Sequence, residues 1–83
     1  MVLVQTPLSL SASGTYTIRV QGPLDATWSE QLGGLRITGH GTGRHAVTVL
    51  VGRLTDQAAL LGVLNTLYEL GFPLLSVEYV SPS

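Results

Sequence analysis

Between Asp56 and Leu70 the apolar side chains recur at three- and four-residue spacing, whereas the regular stretches around this segment alternate with a period of two. A helix of that length set among alternating segments must lie on a sheet, because each kind of element buries one side only. Leu60, Leu61, Leu64, Leu67 and Tyr68 form the stripe expected to pack on the sheet. The opposite side carries Ala59, Gly62, Val63, Thr66 and Leu70, with only Gln57, Asn65 and Glu69 to hold water. So little polarity predicts that this outer surface meets another chain. Thr55 is the expected N-cap, with Asp56 and Gln57 in the first turn, and Gly71 the residue that stops the helix in the left-handed conformation.

The alternating segments are four. Tyr16, Ile18 and Val20 interleave with Thr15, Thr17, Arg19 and Gln21, the pattern of a half-buried strand. Gly22 and Pro23 break it, and Asp25 is placed to cap a short helix running to about Gly33. In that helix Leu24, Trp28 and Leu32 are expected to face the sheet, and Ser29, Glu30 and Gln31 the water. Leu35, Ile37 and Gly39 alternate with Arg36, Thr38 and His40 in a second strand, and a loop from Gly41 to Arg44 returns the chain antiparallel. The third strand is expected from His45 to Val51, with Val47, Val49 and Val51 inward and Ala46, Thr48 and Leu50 outward, followed by a link from Gly52 to Leu54. After Phe72 and Pro73, Leu75, Val77 and Tyr79 alternate with Leu74, Ser76, Glu78 and Val80 in a fourth. Residues 1–14 read as an N-terminal arm or lead-in, and residues 15–81 as the domain.

Strand, helix, strand, strand, helix, strand is the order of two βαβ halves. Right-handed crossovers put both helices on one face of a four-stranded antiparallel sheet. The expected fold is therefore α+β, a ferredoxin-like split βαβ (βαββαβ) with strand order 4-1-3-2. The other sheet face is left open. A Leu50 and a Leu74 on that face join Ala59, Gly62, Val63, Thr66 and Leu70 as the candidate oligomer interface.

Composition bears on partners. A chain of 83 residues has a thin core, and without cysteine no disulfide, thiol nucleophile or thiolate metal site can supplement it. It is 45% hydrophobic and only 11% charged, short of the roughly 25–35% that usually covers a soluble surface. Association with further copies of itself is the expected remedy. Four arginines, no lysine and a net charge of −1 argue against nucleic acid, which demands clustered cations. No apolar run approaches the ~18 residues of a membrane span, and the first residues lack a basic signal-peptide start, so the expected setting is cytoplasmic.

Residues 51 to 80 carry Asp56-Gln57-Ala58-Ala59-Leu60, a helix closing on Leu70-Gly71, and then Pro73-Leu74-Leu75-Ser76-Val77. With the earlier Leu24, Asp25 and Trp28, this resembles a class of small uncharacterised bacterial proteins, which implies an organisation and no activity. More distantly the run is similar to ACT domains, regulatory modules that bind amino acids between subunits. Their ligand turn follows the first strand and has glycine where this chain, after its third strand, has Ala58.

Chemistry is sparse. His40 and His45 flank the hairpin loop and offer two metal ligands with no third nearby in sequence. Asp56 is the matching candidate for a small ligand in an ACT-like site, and otherwise a residue of the helix start. Glu30, Glu69 and Glu78 fall on exposed faces, and no serine stands in a nucleophile elbow, so no catalytic constellation emerges. Neither a cofactor nor an enzyme activity is expected. Two functions remain, a non-catalytic homo-oligomer and a small-molecule-binding regulatory module.

Overall fold

The computed structural model describes residues 13–81. The expected N-terminal arm thus falls, as far as residue 12, outside the described residues. Four strands, β1 (Gly14–Gln21), β2 (Arg36–His40), β3 (Val47–Leu54) and β4 (Leu74–Ser81), form one sheet covered by a 3₁₀ helix (Ala26–Leu32) and one α-helix, α1 (Gln57–Glu69). A second, shorter 3₁₀ turn, Gly43–His45, joins β2 to β3. The strand order is β2-β3-β1-β4, or β4-β1-β3-β2 counted from the other edge, and every neighbouring pair is antiparallel. The chain is therefore α+β.

Register decides which side chains enter the core. Tyr16, Ile18 and Val20 are fully buried and stand opposite Gly52, Leu50 and Thr48 of β3. Partners in an antiparallel ladder share a face, so β3 is turned over relative to the expectation. Leu50 and Thr48 point into the core, while Val47, Val49 and Val51 lie on the open face. The strand also continues through the expected link, ending on the buried Leu54. A β3 that is apolar in both phases cannot choose its face from periodicity; pairing with β1 chooses it.

Two further departures have equally local causes. The first helix is 3₁₀, with three residues per turn, so its buried line is Leu32 and, three residues back, Ser29, rather than a four-residue stripe. Ser29, expected in water, is half-buried and donates a 2.6 Å hydrogen bond to the Leu35 carbonyl, while Trp28 is 37% exposed. In β4 the register against β1 shifts between Arg19 and Val20, so Leu74 pairs with Val20 and packs on the core. The extra residue is Leu75. This β-bulge reverses the expected assignment of the two leucines.

The caps are mostly where residue chemistry puts them. Asp25 caps the 3₁₀ helix by accepting from the Thr27 amide at 2.9 Å. Asp56, not Thr55, is the N-cap of α1, its Oδ1 accepting from the Ala59 amide at 2.8 Å. Gly71, with φ of 86°, closes α1 through two bonds, Gly71 N–H to the Tyr68 carbonyl and Phe72 N–H to the Leu67 carbonyl. That double bond pattern is the Schellman arrangement, and it needs a residue without a Cβ at the turn.

Leu32, Leu35, Val63 and Leu67 fill the space between the helices and the inward rows of β1 and β3. Gly52 makes room for Leu35, since a Cβ there would come within 2.8 Å of the Leu35 Cδ2. Across the sheet, Tyr16 and Tyr79 meet edge to face, with ring centroids 5.3 Å apart.

Candidate functional site

The residues expected to act, by contact or by chemistry, are dispersed by this packing. Leu50 and Val63 are core residues, and Ala59, Leu70 and Leu74 are packed against the core. Of the stripe expected to face the sheet, Leu67 is buried and Leu60 and Leu64 pack against the core, but Leu61 is 59% and Tyr68 81% exposed; α1 is turned partway, so that Val63, Ala59 and Leu70 come inward in their place. Gly62 is exposed, and Thr66 is half-buried with its hydroxyl donating to the Gly62 carbonyl at 3.0 Å. The physical reason is the same as for β3: a helix apolar on both sides is oriented by tertiary packing, and Val63 joins Leu54 over Gly33, where an added Cβ would come within 3.3 Å and 2.9 Å of them.

His40 and His45 are both exposed, His40 as the last residue of β2 and His45 as the last residue of the Gly43–His45 turn. Asp56 lies past the far end of β3, an eight-residue strand whose ends are roughly 24 Å apart. The two histidines and Asp56 therefore cannot share a ligand. The Asp56 carboxylate is engaged in capping. Among the described residues there is no group of three or more His, Cys, Asp or Glu arranged to hold a metal ion.

What the fold does bring together is the open sheet face. Register places Arg36, Thr38 and His40 of β2 beside Val51, Val49 and Val47 of β3, and these beside Thr17, Arg19 and Gln21 of β1. Glu78 of β4 lies opposite Thr17, and its Oε1 accepts from Arg19 Nη1 at 2.8 Å, an ion pair with both side chains about half in solvent. The strand extension adds Arg53, whose Nη2 lies 3.4 Å from Ser13 Oγ. Val47, Val49 and Val51 run down β3 with Arg53 continuing their row, and Arg19 on β1 and Arg36 on β2 flank it. Towards the β2 edge, Gly34, Arg36, Thr38, Val51 and Gly52 line an open groove of about 600 Å³.

Sequence reasoning missed one residue that organises the connection into the helices. Thr48 is fully buried; its hydroxyl donates to the Gly22 carbonyl at 2.6 Å and accepts from the Leu24 amide at 3.1 Å. A lone threonine in a valine-rich strand was the available signal. The Tyr16 phenol is the other buried polar group of note. Its hydroxyl has no hydrogen-bond partner among the described residues, and burial first, then the neighbouring Tyr79, holds its pKa above the ordinary 10.0.

Residues 15–78 match the family described as a domain of unknown function, DUF8691. The chain belongs to the DUF8691 family. The match begins at the second residue of β1 and ends within β4, so the DUF8691 unit takes in every strand and both helices. No curated protein and no solved structure matches the chain. Among the described residues of this DUF8691 domain, no helix is long and apolar enough to cross a membrane.

Proposed function

We propose that this DUF8691 domain is a non-catalytic, self-associating unit of ferredoxin-like topology, a homo-oligomer whose surface is made for further copies of itself. The topological part rests on the strand order β4-β1-β3-β2 with a helical connection inside each half. The observation that carries the functional part is apolar side chains in solvent on both layers at once. Leu61 and Tyr68 stand out from the helix layer, and Val51 and Val80 from the sheet. In a chain with nine charged side chains, such exposure is best relieved by a partner.

The chemistry-bearing groups support the non-catalytic reading because they have structural work: Asp25 and Asp56 cap helices, and Thr48 bonds the β1 exit. Sedimentation velocity across the micromolar to millimolar range tests the reading. Mass rising with concentration is expected, and a monomer throughout would overturn it. The alternative, a small-molecule regulatory module, is favoured only by the groove beside Arg36. Stabilisation by an amino acid in a thermal-shift series, lost in Arg36→Ala, would establish it instead.

A further inference from the structure

The charged side chains are segregated between the two layers. The open sheet face holds Arg19, Arg36 and Arg53 against the single acid Glu78, while Asp25, Glu30, Asp56 and Glu69 belong to the helices and their caps. The remaining cation, Arg44, sits in the 3₁₀ turn at the end of the sheet. Some of these charges are already answered. Arg19 is paired with Glu78, and Asp25 and Asp56 accept from helix amides. Two exposed arginines on the sheet face, Arg36 and Arg53, and two exposed glutamates on the helix layer, Glu30 and Glu69, have no ion-pair partner among the described residues.

Resting on the self-association reading, we infer that the copies stack front to back, the open sheet of one molecule on the helix layer of the next. Sheet against sheet would oppose Arg36 and Arg53 to their own kind, and helix against helix would do the same for Glu30 and Glu69. Like charges brought together in an interface are costly, and opposite charges steer the encounter. Only the front-to-back arrangement matches arginine with glutamate while it covers Val51 with Leu61 and Tyr68. A standard interface takes roughly 800 Å² from each partner, and one broad face of a molecule with 5176 Å² of accessible surface can supply it. Such a contact is heterologous, so it does not stop at two copies; it closes into a ring or continues as a filament.

The test uses two charge-reversed full-length chains, Arg36→Glu with Arg53→Glu, and Glu30→Arg with Glu69→Arg. All four positions are exposed, so the fold is not at stake, and circular dichroism verifies it. Sedimentation should show species larger than a dimer for the wild type. Each variant alone should associate about a hundredfold more weakly. Their equimolar mixture should recover wild-type association, because a reversed sheet then meets a reversed helix layer. Wild-type-like association of either variant alone, or a mixture as weak as its components, would overturn front-to-back stacking and leave self-association standing. A wild type that stays monomeric at every concentration would remove both.

Discussion

Replacing Thr48 with valine removes a hydroxyl while keeping the shape of the side chain, and the structure permits an account of the cost. The hydroxyl links the start of β3 to the segment that leaves β1, accepting from Leu24 N–H and donating to the Gly22 carbonyl. Losing it forfeits a net hydrogen bond of about 1 kcal/mol at each end at most. It also leaves the amide of the buried Leu24 without a partner, a penalty of about 1–2 kcal/mol. Gly22 is only half-buried, so water can return to its carbonyl and that end contributes little. The expected loss is therefore about 2–3 kcal/mol, which for a domain of this size is a drop in Tm of about 8–24 °C. Urea unfolding at one fixed protein concentration is the assay, since self-association would otherwise shift the midpoint. Thr48→Ser is the control: it keeps both bonds, loses one methyl group, and should cost about 1 kcal/mol. A valine variant as stable as the wild type, or a serine variant less stable than the valine one, would refute the assignment.

Four more outcomes can be measured in the same way. Asp56→Ala should lose about 1 kcal/mol as the Ala59 amide goes uncapped, whereas Thr55→Ala should stay within about 0.5 kcal/mol; equal effects would contradict the cap. Tyr16→Phe deletes a buried hydroxyl that has no described partner and should stabilise by about 1 kcal/mol, so a clear loss would mean that the hydroxyl is bonded. Because the native phenol holds its proton above the ordinary 10.0 while the unfolded chain releases it there, wild-type stability should fall as pH rises past about 10, and Tyr16→Phe should flatten that fall. Gly52→Ala drives a Cβ to within 2.8 Å of Leu35 and should cost about 1–3 kcal/mol in unfolding experiments, a cost that the companion change Leu35→Ala should relieve in a double-mutant cycle.

The open sheet face was only partly legible from sequence. Arg19, Arg36 and Glu78 were assigned to the open face by simple alternation, and that is where register places them. Arg53 was not, because a glycine at position 52 reads as the end of a strand. In the folded domain Gly52 is a strand residue whose missing side chain admits Leu35, and the ladder runs on to Leu54. Without Arg53 on the sheet, the division of charge between the two layers does not appear.

Short-range chemistry was enough to establish the element order, the cap at Asp25 and the stop at Gly71, because a hydrogen bond to a nearby amide or a positive φ involves residues a few positions apart. Facing was another matter. Val47 to Val51 and Leu60 to Leu67 are apolar in more than one phase, and for such segments burial of either side removes similar area from water. Leu67 already lay on the expected stripe, but only the pairing of β3 with β1 and the packing of α1 beside Leu54 select Leu50 and Val63 for the core. What stays outside, and so what a second molecule can touch, is the remainder of that long-range choice.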